Sequence, residues 1–454
     1  MSARRLTLQD KLAYGCGDFA SVLYWQTFMV YLTYFYTDVF GLSAAAAGAM
    51  LGVSRSADAV LDPLVGMLAD RTRTRFGRFR PYLLWLAIPF ALAGVLTFTV
   101  PELAADDKLI WAWVTYNLLM VLYTGINIPY TSLLGVITPD PNERTQLSSV
   151  KFVCAFSAGL VISVGLLPMV RALGAGTVGW QRSFMVIGAF AVGLFWTTFF
   201  RTRERVQAAP ERTAITRDLR DLLANRPWQL LVFATLLLIL YVAVRSSVTV
   251  HYFRYVVGTR IWFGRSFAFD ELVSVFNAVS QSMSLLGVLL LPRVTKRLGQ
   301  KRTFVTLLLI ATLATAAFYG VGPAQIELMM LLNATSSICG GPLSALLWAM
   351  YADTVDYSEW RTGRRATGLV FSASAFAQKQ GWAIGAAGAL ALMDRMGFVA
   401  NVESAGTTRA LTLLMSVIPA AFALLSIFAL VLYPLDEAKL QAITRELDAR
   451  REAA

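Results

Sequence analysis

Twelve stretches of this chain are each apolar for about the length a helix needs to cross a bilayer, and that repetition leaves few folds open. About 20 predominantly apolar residues span the hydrocarbon core as a helix. Inside lipid the backbone must satisfy its own hydrogen bonds, which such runs achieve as α-helices. The segments lie near 14–38, 44–69, 81–101, 109–135, 148–170, 181–201, 228–253, 269–294, 303–321, 324–350, 367–394 and 408–433. Only 15% of residues are charged and 57% are hydrophobic. A soluble domain carries about 25% charged residues, so most of this surface does not face water. The expected fold class is an all-α membrane protein of twelve transmembrane helices, not two or three soluble domains.

The longest polar break, TRERVQAAPERTAITRDLRDLLANRP, divides the spans six and six. It sets the expected domains: a six-helix bundle over 1–201, a middle loop over 202–227, a second bundle over 228–433 and a tail over 434–454. The tail, LDEAKLQAITRELDARREAA, has the Leu and Ile spacing of an amphipathic helix docked on a cytoplasmic face. The halves echo one another: GMLADRTRTRFGRFRPYL begins at Gly66 and GVLLLPRVTKRLGQKRTF at Gly287, with Gly77 and Gly299 222 residues apart.

A net charge of +12 suits either nucleic acid or a membrane surface. Position decides between them, because the basic residues fill short gaps between apolar runs. Arg4, Arg5 and Lys11 precede the first span; Arg71, Arg73, Arg75, Arg78 and Arg80 follow the second. Arg293, Lys296, Arg297, Lys301 and Arg302 follow the eighth, and Arg361, Arg364 and Arg365 the tenth. The alternate gaps are poorer in basic charge, apart from the one holding Arg254, Arg260 and Arg265. Both termini are therefore expected in the cytoplasm, with no nucleic-acid partner. The run after MSARRLTLQDK is too long for a signal h-region and lacks a small-residue cleavage site, so the first span is expected to persist.

Charges inside the apolar segments mark the candidate site. In LGVSRSADAVLDPLVGMLAD, Arg55, Asp58 and Asp62 share one helical face. A charge at mid-membrane costs at least ~2.5 kcal/mol by insertion scales, so it needs a partner or a watery cavity. Two carboxylates one turn apart repel, which invites a proton or Na⁺ between them. An Arg–Asp pair that fixes helix packing is the structural alternative. Asp18 sits beside Gly15 and Gly17 in YGCGDFASVLYW, near Tyr14, Tyr24, Trp25 and Tyr31. A carboxylate next to aromatic faces suits a sugar: the acid accepts hydroxyl hydrogens and a ring covers apolar C–H faces. In YTGINIPYTS, Tyr123, Thr124, Asn127 and Thr131 can line one face beside Pro129, although a threonine such as Thr131 can equally bond back to its own helix. Lys151 begins the fifth span, and Lys379 lies well inside the eleventh, where it needs an acidic partner such as the carboxylates of the second span. Asp70 and Arg71 in the loop after the second span form a possible latch, with Asp353, Asp356 and Glu359 of ADTVDYSEWRTGRRATG its counterpart in the second half. Topology alone would also explain these loop charges.

Cys16, Cys154 and Cys339 show neither metal-ligand spacing nor a disulfide framework, and His251 is the single histidine. No nucleophile–base pair or metal cluster is evident at mid-membrane, so the chain is not expected to be an enzyme or to need a cofactor beyond a coupling ion.

YGCGDFA with YFYTDVFGLS, then RSADAVLDPLVGMLADRTRTRFGRFRPYLLW, NIPYTSL, ITPDPNERTQL and ADTVDYSEWRTGRRATGLVFSASAFAQK together resemble the glycoside–pentoside–hexuronide:cation symporter family (melibiose permease-like) of the major facilitator superfamily. The match runs through both halves in order. It implies two six-helix bundles around a central cavity, in the plasma (inner) membrane, working by alternating access on a sugar or glycoside, as a monomer in contact with lipid. It implies that Asp58 and Asp62 bind the coupling cation, H⁺ or Na⁺, with Thr124 nearby. Asp18, Trp25, Tyr123, Asn127, Thr131, Lys151, Trp348 and Lys379 would line the sugar route. This sequence departs from melibiose permease at three of these positions: Asn127 stands for an aspartate, Thr131 for a tryptophan, and Lys151 near an arginine. These changes turn the expectation away from galactosides, and Lys151 suits an acidic sugar such as a hexuronide or sulfonated sugar. Leu61 replaces an asparagine between the two carboxylates; it offers no oxygen, whereas Na⁺ sites use several, which favours H⁺.

Two other functions fit the same scaffold: transport of another amphiphile such as a lysolipid, and a sugar sensor that no longer transports. The first needs a wide apolar cavity with a lateral opening. The intact carboxylate pair argues against the second.

Overall fold

Thr7 opens the first helix with a reciprocal cap. Its side chain accepts the Asp10 N–H at 3.2 Å, and the Asp10 carboxylate accepts the Thr7 N–H at 3.0 Å. The computed structural model describes residues 6–138, 141–205, 222, 224–362, 367–402 and 404–452. The chain forms two compact units, Met1–Pro210 with Phe267–Ala278 and Leu390–Glu403, and Glu211–Ser266 with Val279–Ala389 and Ser404–Ala454.

In the first unit, α1 (Leu8–Val30) runs on through one short turn into a π turn at Phe35–Val39. It is followed by α2 (Ala44–Arg71), α3 (Arg80–Trp85), α4 (Ala87–Thr97), α5 (Ala105–Ile137), α6 (Pro141–Ala172) and α7 (Gly176–Arg201). The expected third span is thus broken in two. Pro89 has no N–H for the Trp85 carbonyl and its ring crowds it, so the helix breaks at Leu86 and restarts at Ala87. α1 packs between α6 and α7, and α2 lies along α5. Gly15 and Gly17 permit that approach: a Cβ at Gly15 would strike Cys154, and one at Gly17 the Tyr130 ring.

The second unit begins with α8 (Arg226–Tyr252), whose first turn is capped by the Asn225 side chain at 3.1 Å from the Trp228 nitrogen. A π turn at Phe253–Val257 follows, then a two-stranded hairpin, β1 (Arg260–Trp262) and β2 (Arg265–Phe267), which apolar periodicity had not suggested. Next come α9 (Phe269–Leu298), whose residues up to Ala278 count with the first unit, α10 (Gln300–Ala317), α11 (Ile326–Thr362), α12 (Thr367–Arg395), whose residues from Leu390 do likewise, α13 (Ala405–Met415), α14 (Val417–Val431) and α15 (Glu437–Glu452). α11 runs further than the expected tenth span. Asp353, Asp356 and Glu359 therefore sit on helix rather than in a loop. The amphipathic tail is α15: Ile443 and Leu447 are buried in this unit's core, and the Trp360 indole N–H donates to Glu446 at 2.6 Å.

Among the described residues, eight helical runs are long and apolar enough to cross a membrane, from Asp106–Ile137 through Ala405–Val431. Helix also occupies the remaining expected segments, but there it carries the polar residues of α1, α2 and α12 or the break before Pro89. Large apolar side chains such as Phe190, Leu313, Leu424 and Phe428 are exposed, as lipid-facing residues are. The chain is a multi-pass membrane protein, and its described residues are helical apart from one hairpin.

Candidate functional site

Four helices of the first unit gather the polar residues that stood out in sequence. Asp58 on α2 is 4% exposed, and its Oδ1 accepts the Thr124 hydroxyl of α5 at 2.5 Å. A carboxylate buried this deeply is tolerable only where such donors replace lost water. Asp62 follows one turn later and is half-buried. Arg55, one turn earlier, donates from Nε to the Tyr116 hydroxyl at 3.2 Å and from Nη2 to the Phe28 carbonyl at 3.0 Å. Its guanidinium therefore ties α2 to both α1 and α5.

α1 and α6 supply the second charged centre. Lys151 Nζ stands 3.6 Å from Asp18 Oδ1 and 5.6 Å from the centroid of the Tyr130 ring. Lys151 lies ten residues inside α6 rather than at its start, because the helix already begins at Pro141. Tyr130 stacks on Tyr14 with centroids 4.9 Å apart, and its hydroxyl donates to the Tyr14 carbonyl at 3.0 Å. Gly17 leaves the space for that ring. The glycines beside Asp18 thus set the position of the aromatic wall facing Lys151.

Trp25 and Tyr123 stack at 6.0 Å with planes 19° apart, joining α1 to α5 by two broad aromatic faces. Asn127 is half-buried, near Pro129, whose missing N–H removes the ladder donor to the Gly125 carbonyl. Thr131 is exposed, and its hydroxyl donates to the Asn127 carbonyl at 2.8 Å, the local bond open to any helical threonine.

Of the other expected positions, Trp348 on α11 is 40% exposed, its ring 5.9 Å from that of Tyr351, and Lys379 is half-buried on α12; both belong to the second unit. Asp353, Asp356 and Glu359 are half-buried on α11. Arg71 is exposed, and the Asp70 side chain lies outside the described residues. The loop after α2 is fastened from elsewhere. Glu204 accepts the backbone N–H groups of Arg78, Phe79 and Arg80 at 2.8, 2.8 and 3.1 Å, which caps α3.

Sequence reasoning missed Glu204, Glu143 and Arg245. Glu143 accepts the Leu6 N–H at 2.9 Å and the Thr138 hydroxyl at 2.6 Å, so it tethers the entry to α1 against the end of α5. These bonds hold its carboxyl below the usual glutamate range. Arg245 is a cation in the middle of ILYVAVRSSV, the kind of signal used for Asp58. Its Nη1 donates to Ser336 at 2.9 Å, and its guanidinium lies 5.4 Å from the Phe318 ring centroid.

Comparison with known proteins gives the chain a family. The model of the family described as MFS/sugar transport protein matches residues 13–437. A protein of Escherichia coli (strain K12) provisionally named glycoside/cation symporter YagG is 37% identical, covering 99% of this chain and 96% of its own. Inner membrane symporter YicJ, also of Escherichia coli (strain K12), is 34% identical over 98% of this chain and 96% of its own. The isoprimeverose transporter of Lactiplantibacillus pentosus is 35% identical over 94% of this chain and 89% of its own. In fold, the chain resembles a solved bacterial homologue of the human drug peptide transporters PepT1 and PepT2. That match has a TM-score of 0.69 at 10% identity, covering 97% of this chain and 99% of the other.

Proposed function

The chain belongs to the MFS/sugar transport protein family, among the glycoside–pentoside–hexuronide:cation symporters, and from that premise we propose that it couples entry of a cation to entry of a sugar or glycoside. It is a membrane transporter and not an enzyme. The observation that carries the proposal is the buried Asp58 bonded to Thr124 one turn from Asp62, in the same unit as the Asp18–Lys151 pair. In this reading Asp58 and Asp62 load the cation. Leu61 between them supplies no oxygen, which favours H⁺ over Na⁺. Asp18 and Lys151 take sugar hydroxyls, Trp25 and Tyr123 offer their faces to its C–H surfaces, and Asn127 adds an amide that can both donate and accept. Lys151 would also receive the anionic group of an acidic sugar. Trp348 and Lys379 complete the route from the second half, and Thr131 lies at its edge.

The working cycle is alternating access by two six-helix bundles of a twelve-span monomer, with both termini in the cytoplasm and the protein in the inner membrane. Each ligand favours binding of the other through a shared coupling energy. The deciding experiment is uptake of labelled glycosides, pentosides and uronides into proteoliposomes under imposed pH or Na⁺ gradients, with wild type beside Asp58→Asn/Asp62→Asn. Accumulation of one sugar under one gradient, lost in the double variant, identifies both substrates. Accumulation that persists in the variant removes the carboxylates from coupling. If neither gradient drives any sugar, sugar symport is wrong.

A further inference from the structure

α11 is 37 residues long, about 55 Å at 1.5 Å per residue, against a hydrocarbon core of about 30 Å. Its last turns carry the polar run ADTVDYSEWRT, beyond the length that lipid requires. At that end of the second unit, α15 folds back beside α11, and between them and the start of α10 lies a cavity of about 370 Å³. Its lining divides by chemistry. Met350, Leu435 and Leu440 form an apolar side, while Lys301, Arg445, Gln300, Tyr433 and Asp353 bring polar groups.

Three features of that lining point to an occupant. First, α10 begins here after Gly299 with no side-chain cap, so its first N–H groups are left for a ligand at a positive helix end. Secondly, Tyr433 is 2% exposed, lines the cavity, and its hydroxyl has no hydrogen-bond partner; the buried Gln300 Oε1 has none either. Burial, helped by Asp353, pushes the Tyr433 hydroxyl far above its ordinary range, so it stays protonated and able to donate. Thirdly, Lys301 uses two donors on the Val431 and Tyr433 carbonyls and keeps a third, and no carboxylate among the described residues forms a salt bridge with Arg445. Positive donors thus sit alongside an acceptor that has no donor, Gln300 Oε1. An inorganic anion would satisfy only the donors.

We propose that this cavity is a second ligand site, separate from the transport route, for a small phosphorylated polyol. The phosphate would take the α10 N-terminus, Lys301, Arg445 and the Tyr433 hydroxyl, and a polyol hydroxyl would donate to Gln300. Arg445 and Leu440 lie on α15, so occupancy fastens the tail helix to the transmembrane unit. The chemistry is shared by a soluble sugar phosphate and by the headgroup of a phosphatidylglycerol.

The test uses the full-length protein in phosphatidylcholine nanodiscs, titrated with glucose 6-phosphate and followed by thermal unfolding and calorimetry. A parallel series incorporates phosphatidylglycerol and contains no sugar phosphate. Tyr433→Phe and Arg445→Gln, one conservative and one on an exposed side chain, are compared throughout. Binding of glucose 6-phosphate that weakens about tenfold in each variant supports the site with a soluble ligand. Stabilisation by phosphatidylglycerol alone, lost in both variants, supports it with a lipid source. No response to either probe, or responses equal in wild type and variants, overturns it.

Discussion

The Thr124 hydroxyl reaches across from α5 to Asp58 on α2 at 2.5 Å, a neutral donor fastened to a carboxylate that is 4% exposed. A hydrogen bond to a charged group contributes about 1.5–3 kcal/mol. Thr124→Val keeps the shape and removes the donor. The expected result is a change of about tenfold or more in the cation concentration that half-saturates uptake, with little change in expression. Thr124→Ser, which restores the hydroxyl, is expected to recover most of it. Equal cation dependence in all three proteins would detach this bond from coupling.

Asp18 and Lys151 form a charge pair that could be structural or could bind substrate, and the two roles separate in a double variant. Asp18→Asn or Lys151→Gln alone leaves one buried charge without its opposite, and both folding yield and uptake are expected to fall. Asp18→Asn/Lys151→Gln removes both charges and is expected to recover yield. If the pair only supports the helices, uptake returns with it. If the pair binds sugar hydroxyls, uptake stays at least tenfold down, which is the expected outcome.

Gly17 and Gly193 give opposite results for one substitution. An added methyl at Gly17 runs into the Tyr130 ring, whereas at Gly193 it meets nothing within 4 Å. Gly17→Ala is expected to cost about 1–3 kcal/mol through overpacking and to displace the ring beside Lys151, lowering uptake. Gly193→Ala is expected to be neutral or to stabilise by up to about 1 kcal/mol. Thermal unfolding in detergent gives both values. Equal midpoints for the two variants would contradict the packing between α1 and α5.

Most of this arrangement was legible because lipid makes a charge conspicuous. Asp58, Asp62, Asp18 and Lys151 stand out in apolar runs, and helical spacing alone predicts that Asp58 and Asp62 share a face. Arg245 carries the same signal in the apolar run ILYVAVRSSV. Glu204 and Glu143 were not legible, since each lies in a polar stretch where one acid looks like the next. Their roles depend on backbone N–H groups more than 120 residues away in sequence. α11 outruns its apolar segment because polar residues end an apolar run without ending a helix. The hairpin at Arg260–Phe267 is too short for periodicity to register.

Glu204 replaces the water that would otherwise satisfy the first N–H groups of α3. Glu204→Gln keeps the size but supplies one oxygen where two are used, and turns an amide N–H₂ towards backbone donors. Loss of the cap is expected to cost about 1–2 kcal/mol and to loosen the segment between α2 and α3. Limited trypsin digestion at Arg75 and Arg78 reads this directly. Cleavage faster than wild type by several-fold is expected, and an unchanged rate would show that other contacts hold the loop.

Glu143 makes the attachment of the N-terminal segment depend on pH in a calculable direction. The Thr138 hydroxyl and the Leu6 N–H, in that order, both stabilise its carboxylate, so its pKa in the folded protein lies below the ordinary glutamate value. A group whose pKa is depressed by folding binds fewer protons in the folded state there. Its contribution is therefore complete above the unfolded pKa, and is lost as pH falls through the lower, folded one. The tether at Leu6 is expected to hold unchanged from neutral pH down to the ordinary glutamate range and to release only below it. Hydrogen exchange at the Leu6 amide, with intrinsic exchange rates corrected for pH, should show protection that fades over that acidic window. In Glu143→Gln the fading should vanish, because no proton can be taken up, and protection should be low at every pH. Fading at the same pH in the variant would assign the transition to another group and remove Glu143 from the role.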